Sequence, residues 1–343
     1  MEDIKSLLPD ELSSFVLSLG QPSYRGDQIF SWLHRHLVCS FDDMTNLPLA
    51  LRQRLKETSY ITCLDVRSRN EGKKGAVKYL LETHDKNAVE AVRMEYKYGI
   101  SACLSTQVGC KMACSFCASG QGGFVRDLTA SEIVDEALKI QEDVALFGAN
   151  VGNIVLMGTG EPLDNYEASV KALRLLNAKC GLGISFRRMT VSTCGLTPGI
   201  RRLAEEEIPV TLSISLHAPT DDVRQVLMPI NRRYPIMELM NAAAFYRKRT
   251  GRRGTFEYAL IKDVNDSDLH ARQLVDLLQG QAGHVNLIPL NPIDEKEYAR
   301  PTTRRINRFH KILQDASIPV TVRRDLGLDV NAACGQLRRR YCR

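Results

Sequence analysis

The most restrictive feature of this sequence is a regular alternation of strand-like and helix-like segments from about residue 99 onward. Short apolar runs are each followed by a longer amphipathic segment, which is typical of parallel βα units. Six such units and a last strand predict an α/β fold built on a partial (β/α)6 barrel, not a closed eight-stranded one. The predicted strands cover residues 101–106, 153–157, 189–193, 210–215, 255–261, 285–289 and 319–323, and the predicted helices cover 129–146, 166–178, 198–206, 235–249, 267–279 and 302–316.

The residues before the barrel divide into two further segments. Residues 1–58 read as three short helices, and residues 59–98 alternate like strands around a polar turn at Asp85–Asn87. We therefore expect a small helical N-terminal accessory domain (1–58), a connecting β-hairpin (59–98) and a barrel with a C-terminal segment (99–343).

The bulk composition is that of a soluble globular protein. Hydrophobic residues make up 44% of the 343 residues and charged residues 25%. No run reaches the ~18 apolar residues that a membrane helix needs. The acidic start, Met1–Lys5, lacks the apolar core of a signal peptide. We expect a cytoplasmic protein with no membrane partner, and a monomer, because nothing indicates a self-complementary surface.

The formal net charge is +6, and the arginines are clustered. Such clusters suit contacts with the phosphates of RNA, although any single cluster can also be an ordinary solvated face. The clusters lie at 187–188, 201–202, 232–233, 247–253, 304–305 and 338–340, and Arg52, Arg54 and Lys56 are further candidates.

Ten cysteines in a chain of this kind favour metal binding or redox chemistry over a disulfide scaffold. Cys110, Cys114 and Cys117 follow the first barrel strand with C-x3-C-x2-C spacing. Three thiolates on one loop can hold three irons of a [4Fe–4S] cluster, which leaves the fourth iron open to S-adenosylmethionine (SAM). Zinc is the alternative, but a structural zinc site normally has four ligands, and only His217 and His284 are available, at long range.

Other polar residues follow later barrel strands, where the carboxyl ends of parallel strands meet at one edge. The turn Gly158–Pro162 lets the backbone approach a ligand closely, and Glu161 could accept a hydrogen bond from an ammonium group. Taken singly, each position could be an ordinary strand-end turn, but their shared place favours SAM binding. The expected SAM-binding residues are Gly160, Glu161, Ser192, Ser215, Leu216, His217 and Asn291.

Taken together, these motifs are similar to those of a known family. The chain resembles the RlmN/Cfr family of RNA adenine methyltransferases over nearly its whole length, including the helical N-terminus. The resemblance is carried by Tyr24–Gln28, Cys103–Cys110, the three clustered cysteines, Gly158–Pro162, Ser215–Ala218 and Asn331–Leu337.

The resemblance implies a radical SAM enzyme that methylates C2 of one adenosine in the peptidyl-transferase centre of 23S ribosomal RNA. It also implies methylation of the adenosine next to the anticodon in tRNAs. Pro162, Thr106–Met112 and Gly122–Arg126 look like the RlmN branch. Val264–Ser267 is shared more with Cfr-like sequences, so a C8 methyltransferase that confers antibiotic resistance is the alternative.

The resemblance also implies a mechanism that uses two SAM molecules. Cys334 takes a methyl group, the resulting S-methylcysteine is activated by the radical, and Glu90 is the base that removes the C2 proton. Cys103 then releases the RNA by forming a Cys103–Cys334 disulfide, which an outside thiol reductant resets. A flavodoxin- or ferredoxin-like protein would supply electrons. Spacing alone would make Cys103 and Cys334 small buried hydrophobes, and Glu82 and Glu95 are other nearby carboxylates.

Two other classes of protein compete with this interpretation. A radical SAM enzyme for a small molecule would not need the helical N-terminus or Cys334. A zinc-bound RNA-binding protein without enzymatic activity would not need the polar residues at the strand ends. The remaining cysteines, for which core or surface positions are the default, are Cys39, Cys63, Cys180, Cys194 and Cys342.

Overall fold

The computed structural model describes residues 1–281, 283–292, 297–323, 327 and 336–337. Its strands are β1 (Glu2–Asp3), β2 (Ser59–Tyr60), β3 (Asp65–Glu71), β4 (Ala76–Glu82), β5 (Ala88–Tyr96), β6 (Gly99–Leu104), β7 (Gln107–Val108), β8 (Arg126–Asp127), β9 (Val151–Leu156), β10 (Met189–Thr193), β11 (Thr211–Ser215), β12 (Gly254–Leu260), β13 (Gly283–Pro289) and β14 (Val320–Val322). Its helices are α1 (Pro9–Ser18), α2 (Tyr24–His34), α3 (Leu49–Thr58), α4 (Ala130–Ala145), α5 (Tyr166–Asn177), α6 (Thr197–Glu205), α7 (Asp221–Leu227), α8 (Ile236–Thr250), α9 (Asp268–Leu278) and α10 (Thr303–Asp315).

The predicted α/β fold is confirmed. Within the described ranges, ten strands form one sheet in the order β14-β13-β12-β11-β10-β9-β6-β5-β4-β3. Strands β6 and β9 to β14 are parallel neighbours in chain order, as successive βα units require. Side chains from β9 through β13 line one cavity, so this part of the sheet curls into a partial barrel. No helix of the described part is long and apolar enough to cross a membrane.

The segment 59–98 differs from the expected connecting hairpin. Strands β4 and β5 pair around the predicted turn, but β3 adds a third antiparallel strand, and β5 pairs with β6. These strands therefore extend the barrel sheet. Both β4 and β5 are buried along nearly their whole length, whereas β3 carries exposed charges, as an edge strand should.

The N-terminal helices pack directly on the barrel. Their buried apolar side chains belong to the same continuous core as those of the barrel helices. An ion pair between Lys5 Nζ and Asp135 Oδ1, 2.6 Å long and almost fully buried, ties the N-terminus to α4. The second oxygen of Asp135 accepts a hydrogen bond from the backbone N–H of Leu64, 2.6 Å away. The segment that enters the sheet is thus anchored to the same carboxylate.

Cys39 and Cys63, for which the sequence suggested no pairing, form a disulfide. Cys39 follows α2 and Cys63 precedes β3, and their Cα atoms lie 6.0 Å apart. The default expectation of core or surface thiols is therefore wrong for this pair. The bond closes a loop across the helical region, between cysteines 24 positions apart.

We expect this disulfide to stabilise the fold. Closing a loop of this size restricts the unfolded chain, so Cys63→Ser should lower the free energy of unfolding by roughly 2–4 kcal/mol under oxidising conditions. Urea unfolding with and without dithiothreitol measures the effect. With dithiothreitol the wild type should lose the same amount, and Cys180→Ser, which removes an unbridged thiol, should behave like wild type in both buffers. Equal stability of wild type and Cys63→Ser without reductant would contradict the expectation.

Candidate active site

The loop after β6 presents the three cysteines of the C-x3-C-x2-C motif to one cavity. Gly109, just before Cys110, has φ +76° and lies against the loop at Gly123. A Cβ at Gly109 would stand 1.8 Å from the carbonyl oxygen of Gly123, so only glycine allows this turn into the motif. All three cysteines are partly buried and line the cavity.

The environment of these thiols is strongly desolvated. Burial raises the pKa of Cys110 to about 11 and that of Cys114 further, and the neighbouring thiol groups raise both values. Bound metal would reverse this, because a coordinating thiol is deprotonated. Among the described residues no three His, Cys, Asp or Glu side chains are grouped to hold a single metal ion.

The glycine turn after β9 lies opposite the cysteine loop. Gly160 has φ +112°, and a Cβ there would come within 2.7 Å of Gln107 Cβ. Gln107 is buried, and its Oε1 accepts from the backbone N–H of Glu161 at 2.9 Å. Its Nε2 donates to Asp127 and Asp164, each at 2.8 Å. The side chain of Gln107 therefore holds the turn in place.

Glu161 brings a buried carboxylate to the cavity wall. Its oxygens accept from the backbone N–H groups of Leu163, at 3.1 Å, and Cys194, at 2.7 Å. Burial raises the pKa of Glu161, while the hydrogen bonds from Cys194 and Leu163 oppose that shift. An acceptor of this kind, close to the cysteine loop, suits an ammonium group.

The later strand ends complete the same cavity. Ser192, Ser215, His217 and Asn291 all line it, as predicted. Leu216 does not line it, and its backbone N–H donates to Glu257 O at 3.0 Å. The backbone N–H of Ala259 donates to His217 Nδ1 at 2.9 Å, which leaves the ring proton on Nε2. Burial, and next the charge of Arg224, lower the pKa of His217 to about 3, so the ring is neutral.

Arg224 is a site residue that the sequence did not reveal. It is fully buried on α7, a helix of seven residues that is too short for its periodicity to be recognised. Its guanidinium donates to the carbonyl oxygens of Cys194, Ser215 and Leu216 at 2.6, 3.1 and 3.1 Å. Arg224 therefore joins the ends of β10 and β11, which carry predicted ligand-binding residues.

Replacing Arg224 should damage both the fold and the cavity. Arg224→Met leaves three buried carbonyl groups without this donor, and we expect a loss of about 3–5 kcal/mol in the free energy of unfolding. Urea unfolding measures it. Arg202→Met, which removes a half-exposed arginine from the surface of α6, is the matched control and should cost under about 1 kcal/mol. Equal stability of the two variants would show that Arg224 does not hold the strand ends.

A second group of predicted residues lies deeper in the barrel. Cys103 on β6 is 7% exposed and packs in a cluster with Val92, Met94 and Leu337, against which Met157 also packs. Val92 is its direct cross-strand partner. Leu337 also accepts a hydrogen bond at its carbonyl oxygen from Ser119 Oγ, 2.9 Å away. Leu337 thus contacts both the residue Ser119, which follows the cysteine loop, and the Cys103 cluster. Cys334 itself lies outside the described residues.

Glu90 shares this interior face. It lies two residues before Val92 on β5, so its side chain projects to the same side of the sheet as Cys103. Glu90 is 4% exposed, and its Oε1 is 3.0 Å from Nζ of Lys78, itself 8% exposed.

The two alternative carboxylates are placed differently. Glu95 is exposed, and Glu82 forms ion pairs with Arg67 and Lys86 at the edge of the sheet. The sequence did not indicate that Lys78 is buried beside Glu90, because a lysine in a short strand is normally exposed to solvent.

Some of the basic residues considered for RNA binding form surface ion pairs. Lys56 pairs with Asp42 at 2.7 Å, and Arg54 lies 3.5 Å from Glu57. In the 247–253 cluster, Arg249 pairs with Glu205 at 2.5 Å. These contacts do not rank the clusters as RNA sites.

The residues fit a cluster and its SAM ligand. Three thiols, a glycine turn with a buried carboxylate and the polar strand ends surround one cavity at the carboxyl edge of the barrel. The thiols supply the donor chemistry that iron–sulfur clusters require, and the turn is closed enough to exclude any side chain at Gly160. Fold and site together define a radical SAM enzyme.

Comparison with known proteins specifies the class further. The Radical SAM superfamily model matches residues 104–275, and the model for the ribosomal RNA large subunit methyltransferase N-terminal domain matches residues 3–61. Proteins named probable dual-specificity RNA methyltransferase RlmN are 47% identical in Thermoanaerobacter sp. (strain X514) and 48% identical in Caldanaerobacter subterraneus subsp. tengcongensis. Each alignment covers 99% of both chains.

A solved structure agrees with this result. The crystal structure of a radical SAM methyltransferase from Sphaerobacter thermophilus is 46% identical, with a TM-score of 0.95 over 98% of this chain and 99% of that one. The chain belongs to the RlmN family of RNA methyltransferases within the radical SAM superfamily. These relatives favour the RlmN branch over the Cfr-like alternative.

Proposed function

We propose that this enzyme methylates C2 of an adenosine in the peptidyl-transferase centre of 23S ribosomal RNA and of the adenosine next to the anticodon in tRNAs. The observation that carries the proposal is that two sets of predicted site residues lie next to each other in one barrel. The cysteine loop and strand ends surround one cavity, and the cluster around Cys103 lies beside it, with Met157 contributing to both. Glu90 projects from the same face of the sheet as Cys103. The dual specificity is taken from the names of the relatives.

Cys110, Cys114 and Cys117 would hold a [4Fe–4S] cluster, and the SAM molecule would contact Gly160, Glu161, Ser192, Ser215, His217 and Asn291. Leu216, whose backbone N–H and carbonyl are already hydrogen-bonded within the protein, would act only by holding Ser215 and His217 on either side of it. When bound, the cluster supplies the electron that cleaves SAM to a 5′-deoxyadenosyl radical. The buried Glu161 carboxylate would orient the amino group of SAM before cleavage. Two SAM molecules are used per turnover.

The protein's own residues carry out the remaining steps. C2 of adenine is an electron-poor amidine carbon, so it cannot take a methyl group by direct polar transfer. Cys334 accepts the methyl group as a thiolate, and its S-methyl carbon is joined to C2 after loss of a hydrogen atom. The adduct gives up one electron, for which the oxidised cluster would be the acceptor, and Glu90 removes the C2 proton. The Cys103 thiolate attacks Cys334 sulfur and forms a Cys103–Cys334 disulfide. The methylene carbon leaves sulfur with the bonding electron pair and takes up a proton, which completes the new methyl group.

Turnover then needs outside partners. A thiol reductant resets the disulfide, and a flavodoxin- or ferredoxin-like donor reduces the cluster. The RNA must present its target base unstacked, because the reacting residues lie inside the barrel. A cytoplasmic monomer accords with these partners.

Mass spectrometry of ribosomal RNA and tRNA from cells with and without the gene tests the proposal. Loss of 2-methyladenosine from both RNAs is the expected result, with restoration by the wild-type gene but not by Cys334→Ala. Loss of 8-methyladenosine would instead assign the Cfr-like activity. An unchanged content of both nucleosides would overturn the proposed function.

A further inference from the structure

We propose that Glu257 recognises the 6-amino group of the target adenine. The inference rests on the proposed function and adds the residue that selects the base. Glu257 lies in the middle of β12 and is 4% exposed. No role was expected for it from the sequence.

One oxygen of this carboxylate is fully engaged. Glu257 Oε1 accepts from Ser213 Oγ at 2.8 Å and from Asn286 Nδ2 at 2.9 Å. The donors are themselves oriented: Ser213 Oγ lies 3.0 Å from Thr255 Oγ1, and Asn286 Oδ1 accepts from Thr321 Oγ1 at 2.8 Å. This network fixes Oε1 as the oxygen of Glu257 that is hydrogen-bonded to neighbouring strands.

The other oxygen is buried, and the described part of the chain offers it no partner. Glu257 Oε2 has no hydrogen-bond donor among the described residues and no contact with solvent. Leaving a buried charged acceptor unsatisfied is costly, and such groups are normally satisfied by a partner. A ligand that brings a donor to this oxygen would recover that cost.

Glu257 lies between two cavities, and their lining residues indicate which ligand it can bind. Glu257 lines the cavity of the cysteine loop and also a second cavity on the interior side of the sheet. The second cavity is walled by Met94, Val155 and Met157, the residues that pack around Cys103. A base whose C2 reacts beside Cys103 would occupy this second cavity.

The rim of the second cavity suits a nucleobase as well. Tyr96 and Tyr98 line it with their rings stacked, at a centroid distance of 4.9 Å and an interplanar angle of 6°. Tyr98 is 72% exposed, so one aromatic face is open to solvent. Bases of unpaired RNA bind to such faces by stacking.

A carboxylate at this point discriminates between purines. The 6-amino group of adenine donates a hydrogen bond to it, whereas the 6-oxygen of guanine or hypoxanthine would face it as a second acceptor. Sites built to bond a donor reject analogues that lack it, because the buried group is left unpaired. Glu257 would thereby admit adenine and exclude the 6-oxo purines.

The Glu257→Gln variant provides a directional test. Ser213 Oγ and Asn286 Nδ2 both donate to the Oε1 position, so the amide oxygen should occupy it. The amide NH2 then takes the Oε2 position and presents a donor. The variant should therefore prefer a 6-oxo base, which reverses the preference of the wild type.

The experiment uses anaerobically reconstituted holoenzyme and a synthetic RNA hairpin around the methylated adenosine. The target position carries adenosine, inosine or unsubstituted purine riboside, and binding is measured by fluorescence anisotropy. Wild type should bind the adenosine hairpin about 10-fold or more tighter than the other two. Glu257→Gln should bind the inosine hairpin tighter than the adenosine hairpin. Glu142→Gln, an exposed carboxylate on α4, should keep the wild-type order.

Several outcomes would overturn the inference. Equal binding of the three hairpins by wild type does so without any variant, and so does a wild-type preference order in Glu257→Gln. If Glu257→Gln loses SAM binding by calorimetry while its base preference is unchanged, Glu257 serves SAM and the inference is wrong. Failure of wild type to methylate the adenosine hairpin would instead count against the proposed function.

Discussion

A Cys103→Ala variant is expected to stop after one addition and to accumulate a covalent adduct between protein and RNA. Without the resolving thiolate, nothing in the proposed sequence breaks the bond between Cys334 sulfur and the new carbon. The rate of multiple turnover should fall by roughly 10³-fold or more. Denaturing gel electrophoresis of labelled RNA measures the adduct, and mass spectrometry measures the methylated product.

Cys180→Ala is the matched control, because Cys180 is a partly buried cysteine in the loop after α5, away from the barrel interior. It should turn over like wild type and show no adduct. Adduct formation should also require SAM. A Cys103→Ala variant that turns over normally would remove Cys103 from the proposed sequence, as would one that loses activity without any adduct.

Glu90→Gln is expected to lower RNA methylation by about 10²- to 10⁴-fold, the usual contribution of a general base. The C2 proton then stays on the adduct, which should accumulate even with Cys103 present. The amide is isosteric and still offers an acceptor to Lys78, 3.0 Å away in the wild type. The fold should therefore survive, and urea unfolding of the variant checks this.

Glu95→Gln makes the same chemical change on the same strand. Glu95 is exposed and an odd number of residues from Glu90, so it projects to the opposite side of β5. It should retain full activity. If both variants keep full activity, the base is another group. If Glu95→Gln alone loses activity, the assignment passes to Glu95.

The cavity at the strand ends was largely predictable. Cys110, Gly160 and Ser192 each lie at the carboxyl end of a strand that periodicity located, and parallel strands bring those ends to one edge. Leu216 is the exception. Its side chain faces the core and its backbone N–H is already bonded to β12, a distinction that a linear motif does not contain.

Other residues could not be found from the sequence, because their partners are distant along the chain. Lys78, Arg224 and Glu257 are charged residues that are buried, and charge normally indicates a surface position. Only the packed structure shows that Lys78 and Arg224 meet compensating groups and that Glu257 is bonded through one oxygen. The Cys39–Cys63 bond is similar, since it depends on how α2 and the start of β3 are folded together.

The sequence by itself determined the order of the secondary-structure elements, the strand ends that carry the predicted cluster- and SAM-binding residues, and the family to which the chain belongs. These properties are local or follow from chain order, since a strand, a turn and a short cysteine motif each occupy a few consecutive residues. The tertiary structure alone decided which charges are buried, which side of the sheet Glu90 and Cys103 share, and that one oxygen of Glu257 has no partner among the described residues. Burial and pairing depend on atoms from strands far apart in the chain, and only their packing brings those atoms within hydrogen-bonding distance.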